Sequence, residues 1–150
     1  MLNFTIQPLH GIEPVAFNMD RESVHRGLKA NCKVVEAAEL REYYYGGEFS
    51  VFYDSGMKVQ YIELSASTEN TVYYNGVDVF NTPADDLVQL ITRDYAFDPN
   101  DFELGYTYMF PEIELSLWRP TIPESDDDEE GRYFQTIGIG RRGYYSDSRS

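Results

Sequence analysis

Apolar and polar residues alternate along several short stretches of this 150-residue chain, and glycine, proline or asparagine closes most of them. Leu2, Phe4 and Ile6 alternate and predict a strand that Pro8 and Gly11 interrupt. Asp20 or Asn18 then caps a predicted helix with a body from Arg21 to Lys29. Met19, Val24 and Leu28 form its apolar stripe, and Gly27 and Asn31 limit its length. Phe49, Val51 and Tyr53 alternate up to the turn residues Asp54-Ser55-Gly56, and Met57, Val59 and Tyr61 begin a second alternation. This is a β-hairpin pattern. Val72 to Tyr74 and Val77 to Phe80 flank Asn75-Gly76, a pair suited to the two positive φ angles of a type I′ turn. A second helix is predicted from Asn81 or Thr82. Pro83 is tolerated in its first turn, Asp85 and Asp86 lie near its positive end, and Leu87, Leu90 and Ile91 form its buried stripe.

Beyond the loop "DPNDFELGY", Ile113, Leu115 and Leu117 alternate against Glu112, Glu114, Ser116 and Trp118, predicting a strand with Pro111 at its start. Glu124 to Glu130 read as an acidic loop, and "RYFQTIGIG" as the last strand. The two halves also read alike. "GIEPVAFNMDRESVHRGL" and "GVDVFNTPADDLVQLI" both run from glycine through an acid and Phe-Asn into a capped helix, followed by a loop and a hairpin. Chance similarity is the alternative. The expectation is one domain, residues 1–150, with a pseudo-repeat over 1–67 and 68–145 and a frayed tail over 146–150. The expected fold class is α+β: an antiparallel sheet with two helices on one face, built as a tandem strand–helix–hairpin repeat.

Charge narrows the partners. Asp and Glu number 26 against 12 Lys and Arg, a net charge of −14. Such a surface repels nucleic-acid backbones and anionic membranes and attracts basic proteins, although acidity also serves solubility alone. The single cysteine, Cys32, allows no internal disulfide and, with two separated histidines, no cysteine zinc site. With no recognisable signal peptide or long apolar run, a cytoplasmic location is expected.

The candidate chemistry is sparse. "GIGRRG", Gly138 to Gly143, has the spacing of a dinucleotide-binding turn. A Rossmann turn needs a helix after it and a carboxylate roughly 20 residues on, and only a short tail follows. Gly138 and Gly140 share one face of the last strand instead. They leave a shallow groove, mark a bulge, or admit close approach by another element, while Arg141 and Arg142 are placed to offset carboxylates, including the Glu124–Glu130 loop. "ESDDDEEG" imitates the start of a calcium loop, but Ile137 stands where the pattern requires Glu. His10 and His25 belong to no metal-spacing motif, and there is no G-x-S-x-G. No enzymatic activity, cofactor or metal is therefore expected.

The sheet face opposite Ile113, Leu115 and Leu117 is more informative. Glu112, Glu114 and Trp118 point to it, and Phe52 and Phe134 are candidates for the same side. Aromatic residues among carboxylates make a protein-binding surface, with a second small core as the alternative. With the acidic loop residues Asp126, Asp127, Asp128, Glu129 and Glu130, these form the expected partner-binding set.

The helix region, with Met19, Asp20, Glu22, Val24 and Leu28 at corresponding places, resembles the G-M-T-x-x-E-V-x-x-x-L-G helix of small bacterial proteins. Those proteins have the outer-membrane-assembly-lipoprotein or β-lactamase-inhibitor type of fold. The layout of helix and hairpin, twice over, is similar to the inhibitor group, although no lipoprotein signal or disulfide accompanies it. The resemblance implies a rigid sheet that binds another protein. The expected function is that of an immunity protein or inhibitor that occludes a basic toxin, such as a nuclease. The alternative is a small-molecule-binding protein or enzyme using a cleft near the glycine-rich last strand.

Overall fold

The computed structural model describes residues 2–28, the backbone of 32–35, and 40–145. Their elements run β1 (Leu2–Gln7), β2 (Gly11–Ile12), β3 (Val15–Ala16), α1 (Arg21–Leu28), β4 (Cys32–Val35), β5 (Arg41–Tyr44), β6 (Phe49–Tyr53) and β7 (Val59–Ser65). They continue with β8 (Asn70–Tyr74), β9 (Val77–Asp78), α2 (Ala84–Thr92), β10 (Thr107–Phe110), β11 (Leu115–Trp118) and β12 (Thr136–Gly140). The chain is α+β, with two sheets rather than the single one expected. The smaller sheet has the order β3-β2-β1-β8-β9 and the larger β10-β11-β12-β7-β6-β5-β4. All neighbours in the larger sheet are antiparallel, whereas β1 and β8 pair in parallel, from Leu2↔Asn70 to Ile6↔Tyr74. Parallel partners need a long crossover, and α1 with the first strands of the larger sheet supplies it.

The local signals explain the elements. The Asp20 carboxylate accepts the Ser23 N–H at 2.8 Å and so caps α1. That helix buries Val24 and Leu28, with Met19 partly buried ahead of it. Pro83, with no N–H to leave unsatisfied, precedes α2, which buries Ala84, Leu87, Val88 and Ile91. Asn75 and Gly76 take φ of 51° and 81°, the positive pair that a type I′ turn requires. No described helix is long and apolar enough to cross a membrane.

Two expected outlines change. Each half was expected to carry one hairpin, but each helix is followed by a meander, four-stranded β4-β5-β6-β7 after α1 and three-stranded β10-β11-β12 after α2. The strand predicted to start at Pro111 starts at Leu115 instead, because Pro111–Ile113 form a 3₁₀ turn and Glu114 takes a left-handed conformation at φ 49°. A short 3₁₀ turn, Tyr45–Gly47, likewise joins β5 to β6. The expected frayed tail, 146–150, lies outside the described residues, as does Lys29.

The core fills one face of the larger sheet. A row across it runs Tyr44, Phe49, Leu64, Ile137, Leu117 and Tyr108, and the next runs Glu42, Val51, Ile62, Ile139, Leu115 and Phe110. Phe4 and Ile6 from the smaller sheet and the buried stripes of both helices belong to the same cluster.

Candidate outer-face binding site

Alternation in β11 turns Ser116 and Trp118 away from the core. The register places Trp118 opposite Thr107 on one side and Thr136 on the other, and Ser116 opposite Gly138, itself opposite Glu63. Tyr61 also reaches this outer face, because the β6–β7 register shifts between Phe52 and Tyr53. Phe52 faces Tyr61, while Tyr53 faces Val59, so the bulge sends Val59 inward and Tyr61 outward.

Gly138 and Gly140 admit the close approach that was one of the three readings of their spacing. The Tyr61 phenol lies over Gly138, and a Cβ there would fall 2.6 Å from its Cζ; a Cβ on Gly140 would lie 2.5 Å from that of Tyr144. Tyr144 stacks on Tyr61 with ring centroids 4.7 Å apart, and Tyr145 meets it edge-on at 5.9 Å. The chain after β12 therefore folds back over the sheet. Glu114 holds it there, accepting the N–H groups of Gly143 and Tyr145 at 3.0 and 2.9 Å. Burial, followed by neighbouring phenols and Glu63, pushes the Tyr61 phenol far up; burial does the same to Tyr145. Both stay neutral hydrogen-bonding groups at physiological pH.

Beyond these rings lies an open groove of about 480 Å³. Gly138 and Ser116 lie at its floor, Tyr61, Tyr145 and Trp118 along its sides, and Glu63 and Glu103 bring carboxylates to it. The Tyr61 hydroxyl donates to Glu63 at 3.3 Å and the Thr107 hydroxyl to Glu103 at 3.0 Å. Trp118 is 39 % exposed and Phe102 fully so. Leu104, Tyr106 and Ile122 are also exposed, in the segments before β10 and after β11. Leu104 bridges to Thr107, and Ile122 packs against Gly105. Leu104 therefore lies next to Thr107 of the groove, whereas Tyr106 is opposite the buried Arg119 in the ladder, on the side away from Trp118.

Arg119 fixes the β10 edge. It is buried, donating to the carbonyls of Gly105 at 2.8 Å and Gly131 at 3.0 Å, with Asp85 at 3.9 Å. One guanidinium therefore ties the loop before β10 to the base of the acidic loop.

The expected site residues are only partly brought together. Trp118 is on the outer face as expected, and Asp126 to Glu130 form an exposed loop. Glu112 is exposed on the 3₁₀ turn. Phe52 is on the outer face, but Arg41 covers its ring at 4.4 Å. Two placements are corrected. Glu114 is buried, because the left-handed turn redirects it to the returning chain, and Phe134 is in the core against Tyr108. Arg141 pairs with Asp54 at 2.8 Å and donates to Asn18 at 3.0 Å, not to the acidic loop. Sequence reasoning missed Glu63, Glu103 and Tyr145. Glu63 had a usable signal, since it alternates with Ile62 and Leu64.

A second polar cluster lies on the core side. Glu42, buried in β5, accepts from Arg21 at 2.9 Å, Tyr53 at 2.5 Å and Tyr44 at 3.4 Å, with His25 Nε2 at 2.6 Å. Burial alone would raise its carboxyl, but hydrogen bonds from Tyr53, His25 and Arg21 outweigh it and hold the group below its ordinary value. Four neighbours fill the acceptor positions of one carboxylate, so the cluster fastens α1 to the sheet. Among the described residues, no group of three or more His, Cys, Asp or Glu is placed to hold a metal. No family model, curated protein or solved structure matches this chain.

Proposed function

We propose that this chain is a non-enzymatic binding protein of the inhibitor or immunity type, docking a basic protein partner on the outer face of its larger sheet. The observation that carries the reading is Trp118, exposed on the outer face beside the carboxylates of the groove. Exposed aromatic anchors ringed by charge are the usual makings of an interface hot spot. The net charge of −14 and the loop Asp126–Glu130 steer a basic partner toward it. Inhibition follows by occlusion, Trp118 anchoring while the carboxylates cover the partner's cationic site.

The resemblance to the inhibitor group fits a duplicated strand–helix unit with both helices on the core side. In support, Tyr44↔Phe49 and Phe110↔Leu115 are paired alike across their 3₁₀ turns, and β7 meets β12 antiparallel. A second reading takes the groove over Gly138 as a small-molecule pocket, because its volume lies within the roughly 300–1,000 Å³ of such sites. A large, saturable thermal shift from a nucleotide, sugar or metal would favour it.

The test is binding of the immobilised chain to the product of the neighbouring gene over a salt series. Added salt and charge reversal at Asp126–Glu130 should both weaken binding, and Trp118→Ala should weaken it roughly 30-fold. Absence of binding, or affinity indifferent to salt and charge, refutes the proposal.

A further inference from the structure

The outer face already contains an example of the contact its open end lacks. In the β5–β6 pair, Arg41 is opposite Phe52, with its guanidinium 4.4 Å from the Phe52 ring centroid and 5.6 Å from that of Tyr43. In the β10–β11 pair, the residues at the same places are Thr107 and Trp118. A short hydroxyl side chain replaces the arginine, and a larger ring replaces the phenylalanine. Trp118 is left uncovered beside the groove of about 480 Å³. The Thr107 hydroxyl, instead of filling the space, donates to Glu103 at 3.0 Å and keeps that carboxylate at the groove. Glu63 supplies another, held by the Tyr61 hydroxyl at 3.3 Å.

From this arrangement we infer that the groove receives one arginine side chain of the partner, its guanidinium stacked on Trp118 and paired with Glu103 and Glu63. A planar guanidinium suits this place better than an ammonium. It stacks on aromatic faces, is weakly hydrated, and presents several donors in one plane to two acceptors. This inference rests on the proposed docking of a basic partner, and it names the side chain that enters.

Trp118 is the chain's only tryptophan, so its emission reports on the groove alone. The probe is the tripeptide Ac-Gly-Arg-Gly-NH₂, titrated beside the same peptide with citrulline or lysine at the centre. The arginine peptide should change Trp118 emission saturably, with a dissociation constant on the order of millimolar. The neutral citrulline peptide should bind at least roughly tenfold more weakly and the lysine peptide several-fold more weakly. Glu63→Gln and Glu103→Gln should each weaken the arginine peptide about three- to fivefold, the usual reach of an exposed ion pair. Circular dichroism confirms that each variant keeps its fold.

Equal binding of citrulline or lysine, no saturable response to the arginine peptide, or no loss in the double Gln variant overturns the inference. The two proposals fail separately. A basic protein that binds the double variant at full strength removes the arginine pocket and leaves the docking reading intact. An arginine peptide that binds as expected, with no basic protein binding, keeps the pocket and removes the reading.

Discussion

Replacing Glu114 by alanine should release the returning chain, Arg142 to Tyr145, from the sheet, while Arg141 stays held by Asp54 and Asn18. Two hydrogen bonds to a charged acceptor contribute about 1.5–3 kcal/mol each, so the Glu114 carboxylate supplies about 3–6 kcal/mol of attachment. Packing of Tyr144 and Tyr145 around Tyr61 adds about 1.5–3 kcal/mol for each ring. Against this stands the backbone entropy of ordering Arg142 to Tyr145, about 1–2 kcal/mol per residue and about 4–8 kcal/mol together. The balance favours docking by a few kcal/mol, less than the carboxylate alone supplies. Glu114→Ala therefore undocks the segment, while the larger sheet, whose core lies on its opposite face, stays folded. Glu114→Gln retains one acceptor oxygen and turns an NH₂ toward the second N–H, so its effect is intermediate. Amide hydrogen exchange by NMR is the direct assay: the amides of Gly143 and Tyr145 are protected in the native chain and exchange near free-peptide rates in Glu114→Ala. Continued protection of both amides in that variant would refute this account of the attachment.

The Glu42 cluster should make stability depend on acid. Its carboxyl is more acidic in the folded chain than in the unfolded one, so its contribution is complete above the ordinary glutamate value of 4.5 and is lost as the pH falls below it. Glu42→Gln should flatten the stability–pH curve in that window, and a curve parallel to the native one contradicts the assignment. Glu42→Ala leaves the buried hydroxyls of Tyr44 and Tyr53 short of an acceptor and should cost about 2–5 kcal/mol in urea denaturation at neutral pH. Gly138→Ala drives a methyl into the Tyr61 ring, which is confined by Phe52 at 5.1 Å and Tyr144 at 4.7 Å. It should cost about 1–3 kcal/mol and alter the near-ultraviolet tyrosine signal, and a neutral substitution shows the packing to be looser.

Legibility in the sequence followed the range of the signal. Both helices, the Asn75-Gly76 turn and the β6–β7 hairpin were visible because each rests on residues a few positions apart. The β1–β8 pairing was not visible, because it joins residues about 68 positions apart with nothing local to mark it. The strand expected to start at Pro111 begins later, at Leu115, for a local reason. Alternation of Ile113, Leu115 and Leu117 is equally consistent with a 3₁₀ turn that buries Ile113 before the strand begins. Periodicity alone does not register the left-handed residue at Glu114 that makes the difference.

The same irregularities decided which site residues could be anticipated. Trp118 is downstream of the turn, in unbroken alternation, and its side of the sheet was readable. Glu114, at the irregular residue itself, was assigned outward and is buried. Tyr61 was grouped with Val59, and the bulge in β6–β7 separates them onto opposite faces. The bulge brings Tyr61 over Gly138, and the left-handed turn lets Glu114 hold the chain that stacks on Tyr61. Together they convert a flat, glycine-marked face into a groove with aromatic walls. The "GIGRRG" spacing is thus explained by the rings it accommodates. Gly138 and Gly140 are small because Tyr61 and Tyr144 occupy the space above them, and Arg141 continues the chain toward Asp54 as the strand ends.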